Sequence, residues 1–103
     1  MTNEKQEMIV NDFEKFMRYA LQQNTPYTID TFITFSTSLV NFYTGSKLIT
    51  KGERQQVALE LTKRFNAGVG NIITTDDIME IANLIISDPT LDYSILNPIF
   101  GQS

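Results

Sequence analysis

Between Glu4 and Gln22 the apolar residues fall at Met8, Ile9, Phe13, Phe16, Met17, Ala20 and Leu21, intervals of three and four that put them on one helix face. Lys5, Asp12, Glu14, Lys15 and Arg18 fill the opposite side. A chain that repeats this period must fold helix against helix, because each stripe needs an apolar partner to cover it. The first helix spans 4–22 and stops at Asn24-Thr25-Pro26, where Pro26 has no amide to donate and biases Thr25 to extended geometry.

The second segment sets propensity against period. Ile29, Thr31, Phe32, Ile33, Thr34, Phe35, Thr37 and Val40 are β-branched or aromatic and favour a strand. Yet Ile29, Phe32, Ile33, Ser36, Leu39, Val40 and Tyr43 make a helical stripe, Thr28 is placed to cap it, and the segment is long for one strand. The spacing predicts a helix over 29–43. A third helix, 51–66, is announced by Thr50-Lys51-Gly52-Glu53, a capping-box pattern, and is expected to end at Gly68 with positive φ. Val57, Ala58, Leu61 and Phe65 are its buried face. The fourth, 75–87, begins with Asp76 and Asp77 at the positive end of its dipole and stops before Pro89. Its Ile78, Ile81, Ala82, Leu84, Ile85 and Ile86 are dense enough to expect the central helix of the fold. A short helix at 91–96 completes the chain. Leu91, Ile95, Leu96, Ile99 and Phe100 either close the core or serve as a docking or dimer element.

The expected fold is all-α: one domain over 1–103, a compact bundle of four main helices plus a short C-terminal helix. Its expected core is Phe13, Phe16, Met17, Phe32, Leu39, Leu61, Phe65, Ile78, Ile81 and Ile85. The 103 residues, 42% hydrophobic and 19% charged, suit one globular unit.

Function is constrained by what is missing. With no His and no Cys, imidazole and thiolate chemistry, disulfides and tetrahedral zinc are excluded. No Ser lies in a nucleophile elbow, and Gly68-Val69-Gly70 lacks the third glycine of a nucleotide fingerprint. Phe65–Ile78 has the outline of a calcium loop, but counting from Asn66 places Gly68 and Gly70 at ligand positions and Asn71 where glycine belongs. Asp76 and Glu80 share a helix face, and first-turn dipole stabilisation explains Asp76 and Asp77 without a ligand. The expectation is a protein that is not an enzyme and takes no cofactor or metal.

Charge is polarised, with Lys47, Lys51, Arg54, Lys63 and Arg64 gathered around the third helix and no base after Arg64, within a net charge of −4. The basic group is the candidate for nucleic-acid binding, weakened by Glu53 and Glu60 among its members. The favoured reading is a non-enzymatic protein-binding regulator, inhibitor or adaptor. Phe35 and Phe42 lie off the main stripe of the second helix; with Tyr43 and the tail residues Leu91, Tyr93, Ile99 and Phe100 they form the candidate partner-binding surface, for another protein or for a second copy in a homodimer. An immunity-type helical bundle is a further alternative, suited only by length, helicity and compartment. No secretion signal opens the chain and no stretch approaches about 18 uninterrupted apolar residues, so no membrane partner is expected and the compartment is read as cytoplasmic. Richness in Ile, Asn, Thr and Lys fits an AT-rich bacterial or phage coding origin.

Overall fold

The computed structural model describes residues 3–23, 28–87 and 96. Among them are four α-helices, α1 (Asn3–Gln22), α2 (Ile29–Gly45), α3 (Arg54–Gly68) and α4 (Thr75–Ser87), with a 3-10 turn at Lys51–Glu53 leading into α3, and no strand. The fold is all-α. The helix expected at 91–96 lies outside the described residues except for Leu96, which is buried.

Capping groups on the threonines and Glu53 set the helix starts. Thr28 Oγ1 accepts the Thr31 amide at 3.2 Å at the head of α2, and Thr74 Oγ1 accepts the Asp77 amide at 3.2 Å at the head of α4. The Thr50–Glu53 capping box is formed, with the Glu53 carboxylate accepting the Thr50 amide at 2.9 Å. It opens the 3-10 turn first, so α3 proper begins at Arg54. Lys5 reaches from α1 and donates to the same carboxylate at 3.0 Å. The Thr50 backbone bond foremost, and Lys5 after it, push the Glu53 carboxyl down to about 2.

At the other end of α3 Gly68 stays helical, and the left-handed residues are Gly70 (φ 92) and Asn71 (φ 59). The positive φ expected at Gly68 is therefore displaced by two residues. A second correction concerns the centre of the fold, which is α2 and not α4. Six consecutive α2 residues, Phe35 to Val40, are buried, together with Phe32 and Tyr43. Helix α4 buries Ile81, Ala82 and Ile85 and leaves Leu84 52% exposed. Met17 and Ile78, expected inside, are half-buried.

Aromatic rings join the helices. Phe16 of α1 stacks on Phe35 of α2 at 4.0 Å between centroids, and Phe32 of α2 stacks on Phe65 of α3 at 4.4 Å while meeting Phe13 of α1 edge-on at 6.0 Å. Arg54 fastens three helices: its Nη2 donates to Asn41 Oδ1 of α2 at 2.9 Å and to the Ile86 carbonyl near the end of α4 at 3.2 Å.

Burial on every side leaves α2 with polar groups that have nowhere to turn. Thr44 returns its hydroxyl to the carbonyl four residues back at 2.8 Å, as Thr62 of α3 does at 2.7 Å, whereas Ser36 Oγ and Thr37 Oγ1 are buried without a partner. Thr37→Val keeps the shape and removes the orphan hydroxyl. It is expected to raise the unfolding free energy by about 1 kcal/mol, read from the urea midpoint.

The depressed Glu53 carboxyl gives a second expectation. A group whose folded-state pKa is lowered contributes stability above its ordinary value, here 4.5, and loses it as pH falls toward about 2. The difference in unfolding free energy between the wild type and Glu53→Gln should therefore shrink steadily across that interval in urea titrations.

Candidate contact surface

Helices α1 and α3 run in the same sense: Lys5 meets Glu53 before α3, and at the far end Gly68 lies against Met17, whose methyl would stand 3.6 Å from a Cβ at that glycine. Leu21 is one turn past Met17 on the same flank, and Ile72 follows Gly68 by four residues. These two side chains, 72% and 76% exposed, are the most solvent-exposed large apolar residues among those described, and they belong to the same pole of the molecule.

The segment that presents Ile72 is held by the side chain of Asn66. Its Oδ1 accepts the Ile73 amide at 2.9 Å, its Nδ2 donates to the Ile73 carbonyl at 3.3 Å, and its own carbonyl accepts the Asn71 amide at 2.8 Å. With Gly70 and Asn71 both left-handed, the chain turns so that Ile73 points partly inward and Ile72 out into water. Asn66 would open a calcium loop here, but its side chain is committed to Ile73.

The residues picked out by sequence are dispersed. Phe35 and Tyr43 are completely buried and belong to the core, not to a surface, because α1 covers the side of α2 on which a patch was expected: Phe35 lies under Phe16, and the Tyr43 hydroxyl donates to Asp12 at 2.6 Å. Phe42 is half-buried, its ring 6.4 Å from that of Tyr43. Leu91, Tyr93, Ile99 and Phe100 lie outside the described residues. Of the basic group, Lys47, Lys51 and Lys63 are exposed, Arg54 is drawn into its helix clasp, and Arg64 donates to Glu60 at 3.3 Å. Arg64 also borders an open furrow of about 470 Å³ with Asn3, Gln6, Glu7, Val10 and Asn11 of α1. Lys51 precedes α3 and Lys63 lies within its second half.

Among the described residues no three or more His, Cys, Asp or Glu side chains converge as a metal site, and no helix is long and apolar enough to cross a membrane. No protein-family model, curated protein or solved structure matches the chain.

Sequence period alone missed both members of the pole. Leu21 belongs to the apolar stripe of α1 by spacing but lies past the end of its cover, and Ile72 reads as half of a β-branched pair whose two side chains go opposite ways. Asn66 is the residue on which the loop depends. Asn66→Ala orphans the Ile73 amide and is expected to cost about 1–3 kcal/mol in urea unfolding.

Proposed function

We propose that this chain is a small non-enzymatic, protein-binding regulator, inhibitor or adaptor that acts in the cytoplasm by covering part of a partner's surface, with Leu21 and Ile72 as its apolar contacts. The observation that carries the reading is Ile72: a large apolar side chain 76% exposed on a loop fixed by three hydrogen bonds. Supporting it, the polar groups best equipped for chemistry are engaged in the fold: Asp12 with Tyr43, Glu53 with Lys5 and Thr50, Arg54 with Asn41 and Ile86. The same reading has the C-terminal segment closing the core as a short helix, in keeping with Leu96, which is only 2% exposed.

The test is crosslinked capture from a host lysate with wild type, Leu21→Asp, Ile72→Asp and Lys63→Ala, each checked for helicity by circular dichroism. The two aspartate variants are expected to lower partner recovery about tenfold at unchanged helicity, the size of one lost apolar anchor, while Lys63→Ala behaves as wild type. Undiminished recovery with Ile72→Asp removes the pole from the site; loss with Lys63→Ala alone favours a basic contact instead.

A further inference from the structure

Asp12 sits in the seam between α1 and α2, only 6% exposed, in a row otherwise made of Ile9, Phe13, Phe16 and Ala20. The group facing it from α2 is the Tyr43 hydroxyl, itself fully buried, at 2.6 Å. The nearby cation is Lys15 on α1 itself, and no ion pair to Asp12 forms among the described residues; Lys5, the other lysine of α1, is bonded to Glu53. One hydroxyl donating to one oxygen replaces only part of a carboxylate's hydration, and in a buried seam that shortfall costs the ionised form more than the neutral one.

We infer that the Asp12–Tyr43 contact makes the docking of α1 on α2 proton-dependent: a proton on Asp12 tightens the seam, and its loss loosens α1 ahead of the other helices. Burial raises the Asp12 carboxyl above its ordinary value of 3.8, while the Tyr43 bond and Lys15 act against that rise without cancelling it. The folded state then holds a proton that the unfolded chain has released, so stability grows as pH falls through the folded-state value and stops growing below 3.8. Glu53 has the opposite sign and acts only below 4.5, so it does not mask the effect at higher pH. The device concerns the attachment of α1 and stands whether or not the Leu21–Ile72 pole binds a partner.

The experiment uses the whole chain and two readings: the carboxyl carbon of Asp12 titrated by NMR, and amide-exchange protection factors, corrected for intrinsic rates, followed from the ordinary carboxylate range upward through the Asp12 transition. Within the titration window the folded-to-unfolded ratio should rise by up to about tenfold per unit of acidification, the limit for one proton. Protection in α1 should fall with rising pH before protection in α3 does. Asp12→Asn, which keeps an acceptor for Tyr43 and carries no charge, should abolish the dependence; Tyr43→Phe, which removes a bond that holds the carboxyl down, should extend it to higher pH. An Asp12 carboxyl titrating at or below the ordinary range, an Asp12→Asn variant with undiminished pH dependence, or α1 and α3 loosening together would each overturn the inference. If Asp12→Asn fails to fold, the wild-type carboxyl titration decides alone.

Discussion

Helix α2 has no face left for solvent over Phe35–Val40, and the remaining helices are arranged to cover it. Two aromatic contacts do much of the covering: Phe16 of α1 lies flat on Phe35, and Phe65 of α3 lies flat on Phe32. Burying one side chain of this kind contributes about 1.5–3 kcal/mol, so Phe32, Phe35, Leu39, Val40 and Tyr43 together outweigh the strand preference of the β-branched residues around them. Helix α2 is helical because it is buried, and that is a tertiary cause.

This dependence explains what the sequence made legible. The four helices were readable from the three-and-four spacing and from Thr28, Thr50 and Thr74, whose capping geometry is local and needs no knowledge of the fold. Centrality was not. Counting apolar residues favours α4 with its isoleucines, yet a helix becomes central by being covered on all sides, and the small Ser36, Thr37 and Ser38 let neighbours approach α2 where Leu84 of α4 remains in water. The same limit hid the surface. Phe35 is large and off the main stripe, which in a one-sided helix means exposure; in a helix packed on several sides it means core. Asp12 falls four residues before Phe16 and so shares its face, but polarity alone assigned it to the outside.

Complete burial has a cost that falls on polar side chains in and against α2. Ser36 and Thr37 of α2 keep hydroxyls without partners, and Arg54 of α3 keeps a buried Nε, each costing about 1–3 kcal/mol. The apolar gain exceeds this cost, which is why the arrangement holds, but the margin is spent where polar groups line the packing of α2. Tyr43 does have a partner for its hydroxyl, and that partner is a carboxylate.

Asp12, Glu53, Arg54 and Asn66 are all committed to holding the fold together. Asn66 is instructive because its effect is felt elsewhere: three hydrogen bonds within a short loop fix two left-handed residues, and the product is an isoleucine held out in water. Leu21 lies at the same pole on α1, the helix whose attachment runs through Asp12 and Tyr43. The relative position of the two apolar side chains depends on how α1 lies along α3, which the Lys5–Glu53 pair sets at one end and the Met17–Gly68 contact at the other.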